Sequence, residues 1–169
     1  MNSQTNEYKN HLTFNLEEVE ETLNEKLGEV KYIIKTNIEH AIAFGILGVI
    51  FLFISTFYSN LLTLQLTAVL SGISALLAYM IFLSKIMKDF ALKKEIIKLK
   101  NSIHTEEEPS IKLEEIFINK IIEKNMNLFA ITNDEKTIQI VTPYVPEFVL
   151  KKEIHVLLFQ EKIIDYFYF

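Results

Sequence analysis

At 169 residues, half of them hydrophobic and with a formal net charge of −5, the chain can hold one small soluble domain beside a long apolar run, but no large catalytic core. It has no Cys, no Trp, and every one of its 17 basic residues is Lys, which excludes disulfide frameworks, thiol catalysis and Cys-based zinc sites. The four histidines (His11, His40, His104, His155) lack ligand spacing, and the four glycines (Gly28, Gly45, Gly48, Gly72) form no phosphate loop or nucleophile elbow, so no enzyme, metal or cofactor is expected.

Residues 1–13, MNSQTNEYKNHLT, are polar and aperiodic and are expected to be disordered, without the basic start and short apolar core of a signal peptide. A helix is predicted from Asn15, a suitable N-cap followed by Glu17 and Glu18 at the positive end of the helix dipole. Its apolar positions, Leu16, Val19, Leu23, Leu27, Val30, Ile34 and Ile38, form one nearly straight stripe. That stripe must be covered, either by the second long helix of the same chain or by the same helix of a neighbouring subunit.

From Ala41 to Ser84 there are 44 consecutive residues without Asp, Glu, Lys or His. A bilayer core takes roughly 20 apolar residues as helix, so the run supplies two spans, about 41–57 and 61–84, turning at Tyr58-Ser59-Asn60. Small residues (Gly45 and Gly48; Ala68, Ser71, Gly72 and Ala75) favour close helix packing. Thr63, Thr67, Ser71 and Ser74 share one stripe of the second helix, which either lines a pore in an assembly or bonds locally to backbone carbonyls and packs. Lys26, Lys31 and Lys35 before the first span, and Lys85, Lys88, Lys93 and Lys94 after the second, predict a multi-pass protein of a bacterial inner membrane with both termini cytoplasmic. Residues 14–100 thus read as a helical membrane domain, and 101–110, NSIHTEEEPS, as a linker.

Residues 111–169 read as a small cytosolic α+β domain, one helix on a four-stranded, mostly antiparallel sheet. The helix is predicted over Ile111 to about Met126, with Ile116, Phe117, Ile118, Ile121 and Ile122 as its buried face. Alternation then marks two hairpins, Leu128–Thr132 with Thr137–Thr142 across Asn133–Lys136, and Ile154–Phe159 with Ile163–Phe169 around Gln160-Glu161-Lys162. Pro146 to Lys152 is either a short helix or an irregular crossing. Both faces of the last two strands are apolar, an excess for one helix to cover, which suggests self-association or strand addition to a protein partner, as in an immunity or accessory subunit.

The candidate ligand-binding residues are polar and basic: Asn119, Lys120 and Lys124 on the predicted helix, Lys136 at a hairpin tip, and Lys151, Lys152 and His155. Repeated around the axis of a homo-oligomer, a trimer or tetramer, these lysines would form a basic pocket for a small polyanion, though not for long nucleic acid. A two-span hairpin at 41–84 followed by a compact domain at 111–169 resembles the small membrane effectors of prokaryotic antiviral defence, notably the CRISPR-associated membrane protein that responds to cyclic oligoadenylate. The resemblance covers the order of parts and no residue motif, and it departs from the related effectors with a β-barrel sensor because too few strands are predicted. It implies cyclic-nucleotide binding by the cytosolic domain, rearrangement of an oligomer and disturbance of the membrane.

Overall fold

The computed structural model describes residues 15–57, 61–105, 110–146, 149–150 and 153–167. The disorder expected of residues 1–13, the turn at Tyr58-Ser59-Asn60, the acidic triplet at 106–108, Lys151, Lys152, and the final Tyr168 and Phe169 lie outside the described residues. Two compact units are present, residues 31–90 and, separately, residues up to 30 with 91–169.

Two helices of 42 residues each, α1 (Leu16–Phe57) and α2 (Leu62–Ile103), are long and apolar enough to cross a membrane. Asn15 caps α1 as expected: the Glu18 N–H donates to Asn15 Oδ1 and the Asn15 N–H donates to Glu18 Oε2, both at 2.9 Å, a reciprocal capping box. Of the two packings open to the N-terminal stripe, the structure takes the intrachain one. Val19, Leu23 and Val30 are buried in the same unit as Ile96, Leu99 and Ile103 of α2. Polar contacts fasten the rim, with Lys100 Nζ donating to Asn24 Oδ1 at 2.8 Å and lying 3.7 Å from Glu20.

Within residues 31–90 the small residues bring the helices together. A Cβ added at Gly72 would stand 2.8 Å from Leu52 Cγ and 3.2 Å from the Gly48 carbonyl oxygen, closer than carbon atoms pack. Gly72→Leu is therefore expected to push the two helices apart, at a cost of about 1–3 kcal/mol for the overpacked contact. Cross-linking between cysteines introduced on the facing turns would register the separation. The hydroxyl stripe of α2 is exposed at all four positions, Thr63, Thr67, Ser71 and Ser74. Thr67 Oγ1 donates to the Thr63 carbonyl at 2.8 Å, the local bonding expected of a packing role, while Ser71 and Ser74 line a shallow groove with Phe44, Leu47 and Phe51.

Beyond the apolar run, Asn37 Nδ2 donates to Asp89 Oδ2 at 2.9 Å. Partial burial raises the Asp89 carboxyl above its ordinary value of 3.8, against the opposing hydrogen bond from Asn37 and the charge of Lys85. A carboxyl raised in the folded state stabilises fully below its unfolded pKa, and that stabilisation is lost as pH rises through the folded value. Asp89→Asn, which keeps an oxygen for Asn37, is thus expected to raise the thermal midpoint at pH 7 and to lose that advantage near pH 3.

The C-terminal domain is a closed barrel of five strands, β1 (Ile111–Lys124), β2 (Asn127–Thr132), β3 (Thr137–Ile140), β4 (Glu153–Phe159) and β5 (Lys162–Phe167), in the order β1-β2-β3-β5-β4. Both expected hairpins form, but the helix expected over 111–126 is instead the 14-residue strand β1, and the described residues of this domain contain no α-helix. The sheet therefore has five strands, not four, and enough of them to close, contrary to the count that set the chain apart from barrel effectors. The five isoleucines of β1, at 111, 116, 118, 121 and 122, suit a pleated surface better than a helix.

Closure depends on β1. Its first half pairs with β4 from Ile111↔Phe159 to Phe117↔Glu153, and its second half with β2 from Ile118↔Thr132 to Lys124↔Asn127. The bulge at Asn119 bends the strand between the two. Only β3 and β5 run parallel, joined at Ile140↔Ile163 and by the Val141 N–H to the Ile163 carbonyl at 2.8 Å. A five-stranded barrel with this strand order has the plan of the OB-fold. Of Pro146 to Lys152, read as a short helix or an irregular crossing, residues 147, 148, 151 and 152 lie outside the described residues; the Val149 N–H donates to the Pro146 carbonyl at 3.2 Å, closing a tight turn.

Ile116, Ile118, Ala130, Ile140, Ile154, Val156, Leu158 and Ile163 fill the interior. Tyr166 packs against them with its hydroxyl buried and without a hydrogen-bond partner among the described residues, and burial pushes that phenol well above its usual range, with Asp165 adding to the effect. Leu157 and Phe159 point out of the barrel, yet both are 0% exposed. On the same outer face Lys162 Nζ donates to Glu95 at 2.9 Å, and Asp165 lies 3.5 Å from Lys26. The helical segments 16–30 and 91–103 thus lie against the β4–β5 face, and of its outer apolar side chains Leu157 and Phe159 are buried within the chain.

Candidate ligand-binding face

The opposite wall, formed by the second half of β1 with β2 and β3, carries a different set of side chains. After the bulge, alternation turns Lys120, Ile122 and Lys124 outward and Ile121 toward the core. Register then aligns cross-strand rows on the outer surface: Lys120 with Ile131 and Thr137, Ile122 with Phe129 and Gln139, and Lys124 with Asn127. The middle of this face is a half-buried apolar strip of Ile122, Phe129 and Ile131, and its β1 margin is the exposed pair Lys120 and Lys124.

Both lysine ammonium groups are free of ion pairs with described residues. Gln139 Nε2 donates to Asn127 Oδ1 at 3.3 Å and Asn127 Nδ2 donates to the Asn125 carbonyl at 3.1 Å, which ties the polar end of the face to the β1–β2 turn. That turn places Asn125 and Met126 at φ 52° and 64°, the left-handed pair that a tight hairpin demands. The arrangement offers a flat apolar platform for a ring, flanking cations for phosphate, and amide groups able to hydrogen-bond a base edge.

The proposed ligand residues divide among three places. Lys120 and Lys124 share the platform, with Asn119 exposed at the bulge beside them. Lys136 stands at the start of β3, at the mouth of the barrel. His155 is on the outer side of β4, paired with Glu115 and Phe167 on the wall that the helices cover, so it does not join the platform. Lys151 and Lys152 lie outside the described residues.

Sequence reasoning omitted Ile122, Phe129, Ile131 and Gln139. The available signal was the Leu128–Thr132 alternation, in which the smallest residue, Ala130, takes the fully buried position and the larger Phe129 and Ile131 are left outside. Compared with known proteins, the chain matches no family model, and no curated protein or solved structure is detectably similar to it.

Proposed function

We propose that this chain is a membrane-anchored effector of prokaryotic antiviral defence, whose cytosolic barrel binds a small anionic nucleotide ligand, such as a cyclic oligonucleotide, on the β1–β2–β3 face. The observation that carries this reading is the Ile122–Phe129–Ile131 strip with the exposed Lys120 and Lys124 along its margin. Bases stack on such a strip and phosphates meet the lysines. The OB-type plan adds support by analogy alone, since that fold commonly binds oligonucleotides on the same strands.

Membrane anchoring is supported by the exposure of large apolar side chains along both helices, among them Leu62 at 77%, Phe57 at 69% and Val49 at 64%. Water would penalise that surface by about 25 cal/mol per Å², whereas lipid tails do not. The flanking lysines favour an inner membrane with both termini in the cytoplasm. In the mechanism we favour, the ligand bridges barrels of neighbouring subunits, α2 carries the rearrangement to the hairpins, and the membrane is disturbed. A ligand shifts such an equilibrium only by its differential affinity for the two assemblies.

Thermal shift of the full chain in lipid nanodiscs, against linear and cyclic oligonucleotides, tests the reading. Stabilisation by a cyclic species that weakens steeply with added salt is expected. Indifference to every oligonucleotide overturns it.

A further inference from the structure

The mouth of the barrel beside Lys136 carries charge of another kind. Because β3 and β5 pair only at Ile140↔Ile163, the earlier part of β3 lacks a neighbour on that side, and a cavity of about 470 Å³ opens between it, β1 and the β4–β5 turn. Its floor includes Ile138 and Leu158, and its walls carry Lys112, Glu114, Lys136 and Glu161.

The register explains how two of these charges come to face inward. Lys112 pairs with Leu158 and Glu114 with Val156, both residues of the interior core, and directly opposed residues share a face of the sheet. Further along the same strand face, Ile116 and Ile118 are apolar and buried, as barrel interiors require. Polarity is therefore inverted over the first turn of the barrel wall: Ile111 and Leu113 point outward, to the side the helices cover, and Lys112 and Glu114 point to the cavity. Despite their number, none of the four charged side chains forms an ion pair or side-chain hydrogen bond with a described residue. Two cations and two anions are thus kept apart around one space with an aliphatic floor.

We infer that this cavity binds a free apolar α-amino acid. Its ammonium group is received by Glu114 and Glu161, its carboxylate by Lys112 and Lys136, and its side chain rests on Ile138 and Leu158. The balanced charge disfavours a polyanion here, which separates this site from the outer platform. A local break in the apolar pattern of an otherwise consistent barrel is where a ligand site is to be sought, and the volume is in the usual range for small-molecule sites.

Isothermal titration of the full chain in nanodiscs with L-leucine, L-isoleucine, L-valine, L-methionine and L-phenylalanine tests the assignment, with isoamylamine and 4-methylpentanoate as half-ligands lacking the carboxylate or the ammonium. Binding of at least one amino acid is expected, with both half-ligands weaker by tenfold or more at about the loss of one charge-assisted contact. Lys112→Gln and Glu114→Gln should each weaken binding by a similar factor without lowering the thermal midpoint, because both residues are exposed. Phe129→Ala should leave it unchanged. Silence with all five amino acids, equal binding of either half-ligand, or binding indifferent to Lys112→Gln and Glu114→Gln overturns the assignment and leaves the reading of the outer face untouched.

Discussion

Phe159→Ala is expected to destabilise the barrel by about 3–5 kcal/mol, the range for truncating a fully buried aromatic side chain. The position looks expendable from the barrel alone, since β4 directs Ile154, Val156 and Leu158 inward and Phe159 outward. Phe159 is nonetheless 0% exposed, like Leu157 two residues before it, and helical Val19, Leu23 and Ile96 in the same unit are also at 0%. The two layers share one apolar seam, and the ion pairs Lys162–Glu95 and Lys26–Asp165 border it.

These border pairs are secondary to the seam. The Lys162 hydrogen bond holds the Glu95 carboxyl below its ordinary value, but the pair sits at the rim with both side chains still partly open to water, so Lys162→Ala should cost about 1 kcal/mol. Urea unfolding of the full chain in detergent, followed by circular dichroism, would separate the two effects. Phe159→Ala should also make the lysines of β4–β5 accessible to trypsin before global unfolding. A midpoint unchanged by Phe159→Ala would mean that the helices do not cover this wall.

The extent to which this architecture can be read from the chain depends on how many neighbours each strand has. The two long helices were legible because 44 residues without Asp, Glu, Lys or His admit little else, and the α1 start because Asn15 is a suitable N-cap followed by Glu17 and Glu18. The two later hairpins were legible from alternation and turn residues. β1 was not, for three reasons visible in its contacts. Its first half is apolar on the outer side except at Glu115 and, from Ile116, apolar on the inner side as well, so Ile116-Phe117-Ile118 shows no alternation. The Asn119 bulge then shifts the phase, and the turn that ends the strand uses Asn125-Met126 without glycine. Isoleucine content was the remaining clue, and β-branching was the property that could have arbitrated.

The candidate site survived this error in part by arithmetic. Lys120 and Lys124 share a face of a helix because four residues are about one turn, and they share a face of a strand because four is even. Phe129 and Gln139 had no such protection, since only cross-strand register shows that they meet Ile122 on the outside of the wall. Likewise, the inward position of Lys112 and Glu114 follows from their partners Leu158 and Val156, not from their own neighbours in sequence.

Phe129→Ala is expected to weaken nucleotide binding by roughly tenfold to a hundredfold, because stacking one base on an aromatic ring contributes about 1–3 kcal/mol. Its ring is the only aromatic one in the rows formed by Lys120, Ile122 and Lys124 with β2 and β3, so no described residue of those rows replaces the contact. Lys120→Gln and Lys124→Gln should act through a different variable. Each lysine that meets a phosphate contributes about 0.7 to the slope of log affinity against log salt for a single strand, so each change should flatten that slope as well as reduce affinity. Titrating the cyclic oligonucleotide that best stabilises the parent chain, at several salt concentrations, distinguishes the two signatures. Phe129→Ala should lower affinity at every salt concentration by the same factor, whereas the lysine changes should matter most in dilute salt. If Phe129→Ala and both lysine changes leave affinity intact while His155→Gln abolishes it, the ligand sits on the β4 side, the helices must leave that wall to admit it, and the platform on β1–β2–β3 is not the site.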